Sequence, residues 1–209
     1  MEVIDSENRL FKGRIKDISS NTTLIAEPQV LPSREPDILV TLYQGYPKGD
    51  KLELIIQKCV ELGVNKIVPF LLTNSVVRID SKKAKNKKER WQKIALAAVK
   101  QCGRNRVPTI EALKTLEDYL KNKNKENSTL VLYEKEGPKF STLLENLKNQ
   151  GIKAVDLIVG PEGGLTEEEV NAIQNNGGYS VSLGQRILRT ETASIAAVSI
   201  VMYELGDLE

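Results

Sequence analysis

Leu157-Ile158-Val159-Gly160-Pro161-Glu162-Gly163-Gly164-Leu165-Thr166 runs from an apolar strand through a glycine-rich turn into a helix start, and its reading decides the fold. In open α/β sheets, ligands bind at such carboxyl ends of strands. The glycine spacing matches neither G-x-G-x-x-G nor G-x-x-x-x-G-K-[ST], which removes the two commonest nucleotide-binding patterns. Thr166 and Glu169 have the spacing of a capping box, and Glu167, Glu168 and Glu169 load the first helical turn with negative charge. A helix start that supplies its own carboxylates opposes a phosphate, whereas a cationic ligand such as a sulfonium is not repelled. The other reading of the stretch is a tight turn ahead of a well-capped helix.

A second stretch, Ser182-Leu183-Gly184-Gln185-Arg186-Ile187-Leu188-Arg189-Thr190-Glu191-Thr192-Ala193, again passes from strand through loop to helix. Ile187 and Leu188, flanked by Arg186 and Arg189, are too apolar for an ordinary surface connector and are expected to line or underlie a pocket. Ala193, Ser194, Ala196 and Ala197 let the terminal helix approach other backbone closely. Two consecutive strand-end loops of this kind sit side by side and form one ligand cleft.

Outward from these loops, strands and helices alternate. Strands are expected at 38–43, 66–70, 107–110, 129–133, 155–159 and 179–183. Helices are expected at 49–62, 84–102 and 139–149, from 166, and at the end of the chain, giving a mainly parallel α/β sheet. Leu52, Ile55, Ile56, Cys59 and Val60 follow the spacing of one helix face, and Gly63 stands where a C-terminal cap belongs. Residues 121–127 read as a solvated loop. Ahead of the α/β region, 3–4, 10–18 and 23–26 read as short strands, and Pro28, Pro32 and Pro36 mark a linker. The expected division is a β segment over 1–30 and an α/β domain over 37–209.

The 209 residues, 40% of them apolar, suffice for one sizeable core or one core plus a small module. Lys+Arg 30 against Asp+Glu 28 leaves a net charge of +2, so any basic surface is local. No apolar run is long enough to span a bilayer and no signal-peptide pattern opens the chain, so a cytoplasmic protein is expected. Histidine is absent, which excludes Ser-His-Asp and Cys-His catalysis and imidazole metal sites; no metal is expected. Cys59 and Cys102 sit among apolar helical neighbours and read as buried reduced thiols.

Further segments carry a family resemblance: Lys48-Gly49-Asp50-Lys51 with Ile55-Ile56-Gln57-Lys58 and Glu61-Leu62-Gly63-Val64, Ser75-Val76-Val77-Arg78, and Gln101-Cys102-Gly103-Arg104 with Pro108. Together with the two loops, they make the chain resemble the 16S ribosomal RNA (uracil-N3) methyltransferases of the knotted SPOUT superfamily. The resemblance covers nearly the whole chain. It implies a SPOUT-type α/β domain whose last segments form a trefoil knot, an exception to unknotted chains. It also implies S-adenosylmethionine as cofactor, 16S rRNA in the small ribosomal subunit as partner, and a homodimer. By that similarity Leu132, Gly160, Gly164, Leu183, Gly184, Ile187, Leu188 and Ala193 are the cofactor-site residues. Family members begin with a longer PUA-like β-barrel, and residues 2–27 look like its second part, so a shortened RNA-docking segment is expected.

Methylation at N3 needs loss of the uracil proton and attack on the methyl carbon, with no covalent enzyme intermediate, so Cys102 is not required as a nucleophile. Arg189 and Arg104 are the candidates for stabilising the developing uracil anion. Glu191 or Glu162 could take the proton, or could instead cap a helix or pair with Arg186 or Arg189. The run Lys82-Lys83-Ala84-Lys85-Asn86-Lys87-Lys88-Glu89-Arg90 opposes the dipole at a helix start. It reads either as a solvated surface or, with Arg78, Arg104 and Arg106, as an RNA phosphate patch built on Lys82, Lys83, Lys87 and Lys88. The rival functions are a noncatalytic RNA-binding relative, a methyltransferase of another RNA, and a small-molecule nucleotide enzyme; the last is disfavoured by the acidic turn at 167–169.

Overall fold

The structure is a computed structural model that describes residues 1–20, 23–75, 81–134, 138–206 and 208, and the side chains of residue 24 and residues 81–85 lie outside that description. Sixteen elements follow one another among the described residues. They are β1 (Glu2–Ile4), β2 (Leu10–Ile18), β3 (Thr23–Leu31), β4 (Leu39–Gly45), α1 (Lys51–Glu61), β5 (Lys66–Leu71), α2 (Ser81–Cys102), β6 (Thr109–Ile110), β7 (Lys114–Thr115), α3 (Leu116–Asn122), β8 (Ser128–Leu132), α4 (Phe140–Asn149), β9 (Ala154–Val159), α5 (Glu167–Asn175), β10 (Tyr179–Val181) and α6 (Thr190–Leu205).

The main sheet runs β10-β8-β9-β4-β5-β6, with β7 also on β5, and its pairings are parallel. A parallel sheet carries helices on both faces, so its strands are apolar on both sides. In β9 the alternation sends Val155, Leu157 and Val159 into a core shared with α1, α2, α4 and α6, and Ile158 into a smaller core under α3 and α5. Asp156 points with Ile158 and is buried. It accepts from Tyr119 Oη at 3.2 Å and Asn127 Nδ2 at 2.9 Å, and burial pushes its carboxyl above the ordinary range. The α1 face expected from spacing is the buried one, since Leu52, Ile55, Ile56, Cys59 and Val60 are all in the core. Cys59 is buried and Cys102 half-buried, both free.

The amino-terminal strands form a separate antiparallel sheet, β1-β2-β3. β3 does not stop at 26 but continues through Pro28 to Leu31, which shortens the connector expected at the three prolines. Pro28 is tolerated because β3 pairs only with β2, and a register shift between Lys12 and Arg14 places residues 27 and 28 in a bulge. The strand expected at 107–110 is only Thr109–Ile110, and the helix α3 after β7 was not foreshadowed in the element pattern. Its Thr115 and Asp118 form a reciprocal capping box. No helix among the described residues is long and apolar enough to cross a membrane.

Arg104 docks the connector onto the α/β unit. Its guanidinium is 5% exposed and donates through Nη1 to the carbonyls of Val60 at 2.9 Å and Val64 at 2.8 Å, and through Nη2 to Glu35 Oε2 at 2.6 Å. Glu35 also accepts from the backbone N–H groups of Asn105 and Arg106. Alongside, Arg34 bonds Gly103 O and both carboxylate oxygens of Glu2, tying β1 to the same corner.

Candidate functional site

The ends of β8, β9 and β10 and the start of α6 enclose a cleft of about 400 Å³. All eight residues expected at a cofactor site line it: Leu132 from β8, Gly160 and Gly164 after β9, Leu183, Gly184, Ile187 and Leu188 after β10, and Ala193 on α6. The volume lies within the range of small-molecule sites, roughly 300–1,000 Å³. β10 ends at Val181 rather than 183, which releases Ser182 and Leu183 to the lining. Gly184 has φ +106°, a backbone conformation that side-chain-bearing residues rarely adopt.

A buried polar chain holds the two loops together. Gln44, the last residue but one of β4, is fully buried; its Nε2 donates to Gly45 O at 3.0 Å and Thr190 Oγ1 at 2.9 Å. Thr190 Oγ1 in turn donates to Gly160 O at 2.7 Å, and Ser194 Oγ donates to Gln44 Oε1. The loop after β9 thus sits directly on the first turn of α6. It also presses on β4: a Cβ at Gly45 would lie 2.4 Å from Pro161 N and 2.6 Å from Gly160 C, so that position accepts only glycine without displacing the loop.

The charged part of the site is built around Lys51, the first residue of α1. Its Nζ donates to Glu162 Oε1 at 2.9 Å and lies 3.6 Å from Glu191 Oε2. Glu162 also accepts from Lys48 N at 3.1 Å. Burial works against the charge of Glu162, yet the ion pair and backbone donors outweigh it and hold its carboxyl below the usual range; the same pair raises Lys51. Glu191 Oε2 is buried without a hydrogen-bond partner among the described residues. Lys51 and Glu162 line the cleft, whereas Glu191 stands behind Lys51. Among the alternatives of proton acceptor, helix cap and partner of Arg186 or Arg189, the ionic partner of both carboxylates is Lys51. The α5 capping box is present as expected, with Glu169 also accepting from Thr73.

Arg189 and Arg186 line the cleft, are exposed, and have no ionic partner among the described residues. Ile187, between them, is 84% exposed. Arg104 is not among the cleft-lining residues: its buried guanidinium is consumed by Glu35 and two carbonyls, which corrects its expected place beside the reacting base and in an RNA patch. Of the other expected RNA contacts, Lys87 folds back onto Tyr46, its Nζ 2.8 Å from Oη and 5.4 Å from the ring centroid, while Lys88 is half-buried and Arg106 exposed. Arg78 and the side chains of Lys82 and Lys83 lie outside the described residues, as do Val76 and Val77 of the quoted segment. Among the described residues no group of three or more Cys, Asp or Glu is arranged to hold a metal.

Sequence reasoning did not single out Gln44 or Thr190, took Ser194 only as a small residue on the terminal helix, and found Lys51 only as part of a family segment. The one signal for Gln44 was an amide at the end of an otherwise apolar strand, Leu39-Val40-Thr41-Leu42-Tyr43-Gln44.

The family described as RNA methyltransferase domain matches residues 34–202. The ribosomal RNA small subunit methyltransferase E of Bacillus subtilis (strain 168) is 41% identical over 177 residues, which span 82% of this chain and 68% of that protein. The protein of the same name from Buchnera aphidicola subsp. Acyrthosiphon pisum is 30% identical over 210 residues, 100% of this chain and 81% of its own. A crystal structure of a ribosomal RNA small subunit methyltransferase E from Neisseria gonorrhoeae bound to S-adenosyl methionine superposes with a TM-score of 0.83 at 30% identity, covering 100% of this chain and 84% of that one.

Proposed function

The chain belongs to the RNA methyltransferase domain family, and on that premise we propose that it transfers a methyl group from S-adenosylmethionine to N3 of a uridine in the 16S RNA of the small ribosomal subunit. The observation that carries this reading is the single cleft between the loop after β9 and the loop after β10, which gathers all eight expected cofactor residues. Its lining suits S-adenosylmethionine: glycines allow close backbone approach, Leu132, Leu183 and Leu188 offer apolar cover for a purine, and the cleft is not built as a phosphate cradle. When bound, the cofactor supplies an electrophilic methyl carbon.

The protein's part is positioning and electrostatics. Arg189, the residue before α6, has no ionic partner among the described residues, and we assign it the stabilisation of the negative charge that develops on the uracil oxygens. Arg186, exposed on the same loop, and Arg106 are basic contacts for RNA phosphates, joined by Lys88 and by the expected Arg78, Lys82 and Lys83. Glu191 keeps its place in the site through Lys51 rather than as the acceptor of the N3 proton.

The wider architecture follows the same reading. After β10, at the far edge of the sheet beyond β8, the chain returns across the loop after β9 so that α6 packs against α1, α4 and the β9 and β4 strands. That path supports a trefoil knot. The β1-β2-β3 sheet is proposed as a PUA-like segment that docks RNA, with the division near residues 30–37. A homodimer working on small-subunit particles in the cytoplasm completes the proposal. On α6, Val198 and Val201 are fully buried in the chain's own core, so any part this helix takes in the homodimer contact falls to exposed residues such as Tyr203, 67% exposed.

The test is transfer of labelled methyl to small-subunit particles lacking the mark, with the product identified by digestion and mass spectrometry. The expected product is 3-methyluridine. A methyl at C5 or on a ribose overturns the chemistry, and saturation of the cleft by ATP in preference to S-adenosylmethionine overturns the cofactor.

A further inference from the structure

Most of the cleft lining is glycine, alanine or aliphatic, and its charged residues are Lys51, Glu134, Glu162, Arg186 and Arg189. Arg186 and Arg189 on one loop and Glu134 just beyond β8 are exposed and have no ionic partner among the described residues. Lys51 and Glu162 are fixed: they hold each other at 2.9 Å, Glu162 is further anchored by the N–H of Lys48, and Lys51 is drawn toward Glu191 at 3.6 Å. A surface ion pair of this sort adds little stability, so its arrangement in a ligand cleft calls for another reason.

The pair has unspent capacity. An ammonium carries three donors, and Glu162 accounts for one at short range, with Glu191 too far for a second strong bond. Glu162 Oε2 takes the longer contact from Lys48 N, at 3.3 Å, and the carboxylate is also approached by its own backbone N–H, so its short side-chain bond is the one to Lys51. One fixed cation beside one fixed anion, each with a free bonding direction, is complementary to a group that carries both charges, an α-amino acid zwitterion. Glu191 adds a second negative charge 3.6 Å from the lysine, with a buried oxygen that lacks a hydrogen-bond donor among the described residues, and so keeps Lys51 at this spot.

We propose that Lys51 and Glu162 form the subsite for the amino-acid end of the cofactor, Lys51 taking the carboxylate and Glu162 the ammonium, with Glu191 as the positioning residue behind Lys51. The proposal rests on the assignment of S-adenosylmethionine to the cleft. It divides the site into an aliphatic part that holds the adenosine and a charged part that grips the tail, drawn from two segments 111 residues apart.

Truncated ligands separate this from a structural role. S-Adenosylmethionine and S-adenosylhomocysteine both carry the amino-acid end, and 5′-methylthioadenosine lacks it. In calorimetric titration of the full chain, Lys51→Met and Glu162→Gln should each weaken the first two ligands by about tenfold, the scale of a charge-assisted hydrogen bond, and leave methylthioadenosine affinity unchanged. Lys51→Arg should restore part of the loss. Equal weakening of all three ligands would make the pair a loop brace and overturn the subsite. Weakening of S-adenosylmethionine alone would mean that the cluster reads the sulfonium, and also overturns it. Unchanged affinity in both variants does the same, while continued binding of S-adenosylmethionine would leave the methyltransferase reading standing.

Discussion

Replacing Arg104 with methionine should unfold the protein at lower temperature without touching its chemistry. The side chain is 5% exposed, and the substitution keeps its aliphatic length while deleting bonds to Glu35, Val60 O and Val64 O. Removing one member of a buried ion pair costs about 3–5 kcal/mol because the other charge is left uncompensated; Val64 O also loses its donor, while Val60 O keeps the N–H of Gly63. For a chain of this size each kcal/mol moves the midpoint by about 2–4 °C, so it should fall by roughly 6–20 °C. Thermal unfolding followed by circular dichroism measures this, and titration with S-adenosylmethionine well below the new midpoint should give parental affinity. The pH dependence supplies a second check. Burial alone would raise the Glu35 carboxyl, but Arg104 and the N–H groups of Asn105 and Arg106 outweigh it and lower the value below 4.5. A depressed carboxyl contributes stability that is present above its unfolded value and lost as pH falls through its folded one. The gap between parent and variant should therefore be full at neutral pH and close as the medium is acidified below 4.5. A variant within about 1 kcal/mol of the parent that nevertheless loses methyl transfer would refute the clamp and return Arg104 to the reaction.

Three further outcomes follow from the site. Arg189→Ala should abolish methyl transfer with cofactor affinity and melting temperature intact, and near-normal turnover would remove Arg189 from the mechanism. Gly45→Ala forces a methyl group to 2.4 Å from Pro161 N, so the loop after β9 must shift; cofactor affinity should drop at least tenfold, and an unaffected titration would show that the loop is not held where it is described. Thr190→Val deletes the donor to Gly160 O and the acceptor for Gln44 in a buried setting; urea denaturation should show a loss of about 1–3 kcal/mol, and a neutral effect would mean the chain of bonds is not cooperative.

The cleft was legible because its parts are local. An apolar strand, a glycine turn and a capped helix lie within ten consecutive residues, and the second loop betrays itself by Ile187 and Leu188 where a connector should be polar. The bonds that make the cleft rigid were not legible, because they join positions far apart in sequence. Arg104 reads as a cation in a basic neighbourhood until Glu35, 69 residues away, is seen to be its partner. Lys51 meets Glu162 across 111 residues, and no periodicity reports such a meeting. Element boundaries failed where tertiary position overrides local preference, as at Pro28, which an edge strand with a bulge accommodates. The capping pair Thr115 and Asp118 was a visible signal for α3, a helix too short to show an apolar period.

The bonds from Gln44 to Thr190 and Ser194 join residues 146 and 150 positions apart. Contacts of such separation form late, since the entropy of closing the loop is lost before the bonds repay it. On a growing polypeptide, β4 emerges well before Thr190 and Ser194, and until they follow, the Gln44 amide has its neighbour Gly45 O but neither of these partners. Folding of the sheet and completion of the cleft are thus separate events in time. Cofactor capture becomes a check that α6 has been made, and a product truncated before α6 would present a solvent-open sheet face and a Gln44 without Thr190 and Ser194, features by which quality control can recognise it.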